Sequence, residues 1–106
     1  MHDPVDGVYI SGTRFAIQRH IDKDSHKIIW RLLSYSYRTR RYSLVCCHYD
    51  PWVLAIDLVS CHVQHVKGQG INTLAVYREA VNVISRRCET AINLLRPETL
   101  GGALNV

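Results

Sequence analysis

The sequence predicts an α+β fold: a small antiparallel sheet of three to four strands followed by two helices packed on one of its faces. Three observations carry that expectation. Ahead of residue 50, apolar side chains recur at every second position, the period of a half-buried strand. Beyond Asp50-Pro51 they recur at steps of three and four, the period of one helix face. The strand-like runs are grouped before the helical ones, which separates this chain from alternating α/β architectures. With 106 residues there is room for one core. The reading is therefore a single domain over 1–106, with 1–6 and 98–106 as mobile tails.

Taken in order, Met1 to Asp6 carries Pro4 and two aspartates and reads as a loose lead-in. Gly7-Val8-Tyr9-Ile10 is a short apolar run closed by Ser11-Gly12, a small edge strand. From Arg14 to Ile21 the chain alternates, Phe15, Ile17 and Ile21 on one side and Arg14, Gln18 and His20 on the other. Asp22 to Ser25 is a polar turn. Lys27 to Tyr37 is rich in β-branched and aromatic residues. Ile28, Trp30 and Leu32 face one way, and Ile29, Leu33, Tyr35 and Tyr37 the other. A basic turn near Arg38 to Arg40 leads into a last strand over Tyr42 to Tyr49.

Asp50 then suits the cap of a helix with Pro51 at its first position, where a missing N–H costs nothing. Trp52, Ala55, Ile56, Val59, Val63 and Val66 form its expected buried arc, opposite Asp57, Ser60, Gln64 and Lys67. Gly68-Gln69-Gly70 supplies a stop. Asn72 or Thr73 caps the final helix, over Thr73 to Leu95, and Pro97 ends it. Its expected apolar stripe runs through Leu74, Tyr77, Val81, Ile84, Cys88, Ala91 and Leu95, widened by Val76, Ala80, Val83 and Leu94.

Composition narrows the function classes. An apolar content of 47% against 21% charged residues describes a folding chain rather than a disordered one. No apolar run approaches the roughly 18 to 20 residues needed to span a bilayer. The first residues lack the basic and apolar regions of a secretory signal, so the expected location is cytoplasmic. Cys46, Cys47, Cys61 and Cys88 are spaced poorly for a disulfide framework, and reduced thiols are expected. The net charge of +4 is concentrated: residues 27–67 hold six basic and two acidic side chains. Three of those basic residues are Arg38, Arg40 and Arg41.

The stretch Tyr35-Ser36-Tyr37-Arg38-Thr39-Arg40-Arg41-Tyr42 interleaves rings with guanidinium groups. Unpaired nucleic acid asks for that combination, cations for phosphates and flat rings for bases. The first functional expectation is therefore a non-catalytic module contacting RNA or DNA through Tyr35, Tyr37, Arg38, Arg40, Arg41 and Tyr42. Two half-apolar helices are more than so small a sheet can cover, so a homodimer is expected. Leu74, Tyr77, Val81, Ile84 and Arg87 are its candidate interface. The alternative is a protein-interaction or structural subunit that uses those apolar helix faces.

A second alternative is a zinc-binding fold or a thiol enzyme. Cys46-Cys47-His48 and Cys61-His62-x-x-His65 hold the residue types for either, with Cys47, His48, Cys61 and His65 as the candidate set and Asp50 or Asp57 as an orienting acid. No Cys-x-x-Cys pair, phosphate-binding loop or dinucleotide fingerprint accompanies them. The expectation accordingly includes no cofactor and leans away from catalysis.

Overall fold

The computed structural model describes residues 2–67, 70 and 72–95, the final seven as backbone. Four antiparallel strands run in sequence order, β1 (Gly7–Tyr9), β2 (Phe15–Ile21), β3 (Ile28–Ser36) and β4 (Arg41–His48). Helices α1 (Pro51–His65) and α2 (Thr73–Leu95) follow. The protein is thus α+β, a meander sheet with both helices on one face. The predicted tail 98–106 and the helix stop at Gly68-Gln69 fall outside the described residues.

Local chemistry sets the boundaries. In the β2–β3 turn the Asp22 carboxylate accepts hydrogen bonds from the Ser25 hydroxyl at 2.6 Å and the Ser25 N–H at 3.0 Å. Those bonds hold the Asp22 carboxyl below its usual range. Asp50 caps α1 by accepting the Trp52 N–H at 2.9 Å, with Pro51 at the first helical position. Asn72 caps α2 through the Ala75 N–H at 3.1 Å. Lys67 adopts φ 56° and turns the chain out of α1.

Strand register decides which side chains meet the helices. Val8 stands opposite Ile17, which in turn pairs with Leu32, and Leu32 pairs with Cys46. These side chains therefore share the helix side of the sheet, joined by Phe15 and Trp30. A register shift beside Leu32 leaves Val45 as the extra residue of β4, so Tyr42 and Leu44 sit on the far side of the sheet, across from Tyr35 and Leu33. From the helices, Leu54, Leu58 and Ile84 complete the core with no exposed surface. Burying each contributes about 1.5–3 kcal/mol.

Both helices are rotated from the faces expected of them. On α1 the buried residues are Leu54, Ala55, Leu58 and His62, whereas Ile56 is 60% and Trp52 43% exposed. The buried arc lies about 100° round the helix from the expected one, one residue's worth of turn. The displacement has a cause in composition. Apolar residues wrap most of α1, and His62, which reads as a surface residue, stands in the middle of the buried side. On α2, Val76, Ala80, Val83 and Ile84 are buried, while Leu74 is 55% exposed. The residues expected to widen the stripe are its centre. Ala91, Leu94 and Leu95 lie among the residues described by backbone alone.

The opening residues, read as a loose tail, lie against the sheet face that has no helix. Asp3 accepts the Tyr9 N–H at 2.8 Å, Gln18 donates to the Val5 carbonyl at 2.9 Å, and Tyr42 donates its hydroxyl to the His2 carbonyl at 2.6 Å. Ala16, Leu33 and Tyr35 are buried on this side. At the other end of the segment Asp6 is held by two arginines. Arg19, only 7% exposed, reaches both its oxygens at 3.2 Å, and Arg87 contacts Oδ1 at 3.2 Å. Arg19 also donates to the Arg87 carbonyl at 2.9 Å. A guanidinium this deep is stable only because each bond replaces one to water.

Candidate functional site

The β3–β4 turn and the C-terminal end of α1 share one end of the molecule, together with Arg14 at the start of β2. The turn closes with the Arg40 N–H donating to the Ser36 carbonyl at 2.7 Å, and the Thr39 N–H reaches Ser36 Oγ at 3.3 Å. Arg40 takes φ 57°, a left-handed conformation that costs a residue with a side chain about 1 kcal/mol relative to glycine. Arg38, Arg40 and Arg41 are all exposed. None of the three guanidinium groups has a hydrogen bond or ion pair with the described residues. The acids Asp22, Asp24 and Asp50 stand at the opposite end, in the β2–β3 turn and before α1.

The three tyrosines of this region divide by environment. Tyr35 is 6% exposed and meets Tyr37 and Tyr42 edge-on, each at 5.1 Å between ring centres, with the His2 ring at 6.0 Å. Tyr42 is half-buried, and its hydroxyl is engaged by His2. Burial first, and then the nearby Asp3 carboxylate, push its phenol up to about 12. These two rings build the sheet. Tyr37 is 64% exposed and keeps an open face.

Beside Tyr37 lies a cleft of about 350 Å³ lined by Tyr9, Arg14, Tyr37, His62, His65 and Val66, among others. Arg14 is positioned across it, its Nε donating to the Tyr35 carbonyl at 3.3 Å and its Nη1 lying 3.2 Å from His65 Nδ1. His62 is 7% exposed, and its Nδ1 has no hydrogen-bond partner among the described residues. Burial, and secondarily the neighbouring His65, hold its imidazole below the ordinary histidine range. Sequence reasoning missed both Arg14 and His62 as members of this site. His62 was hidden among metal candidates, and Arg14 reads as the polar side of a strand.

A second polar cluster forms at the flank of α1. Alternation along β4 places Cys46 and His48 on the helix side, and α1 returns over them to bring in Asp57. His48 Nε2 lies 2.7 Å from Asp57 Oδ2, and Cys46 Sγ lies 3.8 Å from the same oxygen. Burial first, then Asp57, push the Cys46 thiol up to about 11. That leaves little thiolate near neutrality, and the carboxylate rather than the imidazole stands beside the sulfur. This geometry is not that of an activated thiol. Of the expected set Cys47, His48, Cys61 and His65, only His48 belongs here. Cys47 is exposed on the opposite side of the sheet, across from Arg31, and His65 is engaged by Arg14. The half-buried Cys61 packs against the core.

The expected interface residues separate as well. Ile84 is fully buried in the core of its own chain. Arg87 donates to Asp6 at 3.2 Å and to the Gly7 carbonyl at 3.3 Å, so it clasps the opening segment. Leu74 and Tyr77 remain outside, where they line an apolar groove with Ile56, Val59, Ser60 and Thr73. Val81 is half-buried.

No helix among the described residues is long and apolar enough to cross a membrane. No family model, curated protein or solved structure matches the chain.

Proposed function

We propose that this protein is a non-catalytic module that binds single-stranded nucleic acid, RNA or DNA, at the end formed by the β3–β4 turn and the Arg14 cleft. One observation carries the reading: Arg38, Arg40 and Arg41 are exposed beside a solvent-facing Tyr37. Guanidinium groups supply phosphate contacts, and an open ring supplies a stacking platform for an unpaired base. Arg40 adds weight, because an arginine occupies a backbone position that glycine fills at lower cost. Tyr35 and Tyr42 act as supports that fix Tyr37 rather than as contacts of their own.

Fluorescence anisotropy with labelled single- and double-stranded oligonucleotides at low salt tests this. Tyr37→Ala should weaken single-strand binding by about 1–3 kcal/mol, the worth of one stacked base. Equal affinity of wild type and variant, or a preference for the duplex, would remove the reading.

A second reading, compatible with the first, is a homodimer paired through the groove lined by Ile56, Leu74 and Tyr77. Its support is that the apolar residues leading the predicted helix stripes stay outside, Ile56 at 60% and Leu74 at 55% exposure. The described lining residues carry no charged group, so a second copy meets no like-charge penalty from them in a two-fold contact. Sedimentation equilibrium should return twice the chain mass for wild type and a monomer for Leu74→Glu. A wild-type monomer at all concentrations would exclude it.

A further inference from the structure

We propose that Cys46, His48 and Asp57 form a three-ligand site for a divalent transition-metal ion of the zinc class. The site is separate from the cationic end and does not depend on nucleic-acid binding.

The argument starts from the donor set. One thiol, one imidazole and one carboxylate offer sulfur, nitrogen and oxygen, the three ligand types that zinc accepts. Their ligand atoms all lie within 4.8 Å of one another, and this is such a group among the described residues. Metal–ligand bonds of about 2.0–2.3 Å in a tetrahedron place neighbouring donors roughly 3.3–3.8 Å apart. The 3.8 Å sulfur–oxygen separation lies just beyond a sulfur–oxygen edge of about 3.5–3.7 Å and has only to close slightly. The 2.7 Å nitrogen–oxygen contact has only to open slightly as an ion replaces the shared hydrogen.

The backbone supports the same conclusion. Cys46 and His48 are two apart on a strand, so their side chains project to one side without strain. Asp57 comes from the second turn of a helix whose start is fixed by the Asp50 cap and Pro51. All three ligands are therefore carried on regular elements rather than on a loop, which is what a positioned site requires. His48 and Asp57 are 36% and 40% exposed, so solvent reaches one side, where a water completes the tetrahedron. An ion there would pin the edge strand β4 to α1.

Cobalt(II) titration of the chelator-treated full chain is the direct test, because a cobalt–thiolate charge-transfer band reports sulfur ligation without relying on any variant. The expected result is one equivalent bound, with the intensity of a single thiolate and displacement by zinc. Cys46→Ser should abolish the charge-transfer band, and Asp57→Asn should weaken binding at least 100-fold. Cys47→Ser and His65→Gln should leave both unchanged, circular dichroism confirming that each variant is folded. No band at micromolar cobalt, two-thiolate intensity, loss of binding in Cys61→Ser, or equal loss in Cys47→Ser would each overturn the assignment.

Discussion

Helix α1 is edged by two polar clusters that solve opposite problems. Near its middle, Asp57 is met by His48 at 2.7 Å and by the Cys46 sulfur at 3.8 Å. The donors face one another, and the group is rich in atoms that bind cations. At its C-terminal end His62 and His65 face Arg14 across a cleft, with three exposed arginines in the neighbouring turn. That region is rich in groups that bind anions. The first cluster is hydrogen-bonded within itself, whereas the second leaves a buried His62 nitrogen and the exposed guanidinium groups of Arg38, Arg40 and Arg41 without partners among the described residues. The buried His62 nitrogen is left so at a cost in stability, while the exposed guanidinium groups are held by water and remain available to an anion. The contrast locates the candidate partner surface more sharply than net charge does.

The largest expected effect breaks the aromatic support of the cationic end. Tyr35→Ala removes a ring that is 6% exposed and packed between Tyr37 and Tyr42. Urea unfolding should show a loss of about 3–5 kcal/mol, the cost of emptying a large aromatic site. Tyr37→Ala, at 64% exposure, should stay within about 0.5 kcal/mol of wild type in the same assay. If the two variants lose equal stability, the division between supporting and contacting rings is wrong.

His62 gives the next effect, and pH sets its sign. Its folded-state pKa lies below the reference value of 6.5, so its neutral form is the one the fold prefers. The contribution is fully present above 6.5 and lost as pH falls through the lower folded value. Wild type should therefore lose stability below pH 6.5 faster than His62→Leu, measured by denaturant midpoints across that range. Near neutrality the variant should be equal to wild type or more stable by about 1 kcal/mol, since an unpaired buried nitrogen is removed. A steeper acid loss in the variant would contradict this account.

How much of this was legible beforehand depends on what the pattern can encode. Strand faces were readable because alternation has only two outcomes, and Phe15, Ile17, Trp30 and Leu32 lie where their parity puts them. Helix caps were readable because Asp50, Pro51 and Asn72 act locally. Helix rotation was not. Apolar residues surround most of α1, so the wheel could not distinguish the side holding Leu54 and Leu58 from the side holding Trp52 and Ile56. The candidate site was legible in part for the same reason. The Arg38 to Arg41 cluster is a contiguous string, but Arg14 and His62 join it only through chain return, and Asp57 meets Cys46 and His48 likewise. Arg19 could have been suspected: it shares the parity of Ile17, and a cation on an apolar strand face needs an acid.

A smaller effect sharpens the contrast within the turn itself. Arg40→Gly relieves a left-handed backbone at φ 57° and should raise stability by about 0.5–1 kcal/mol. The same substitution removes one cation and should weaken nucleic-acid binding. Opposite signs in the two assays would show that the side chain is kept for contact rather than for folding. Gains in both would show the reverse.

The most direct measurement is the salt dependence of single-strand affinity for wild type and for a variant with Arg38, Arg40 and Arg41 all changed to Gln. Each phosphate contact to a single strand contributes about 0.7 to the slope of log affinity against log salt. Three lost contacts should therefore flatten the slope by roughly 2, with the fold intact by circular dichroism. An unchanged slope, or a wild-type affinity indifferent to salt, would contradict the account.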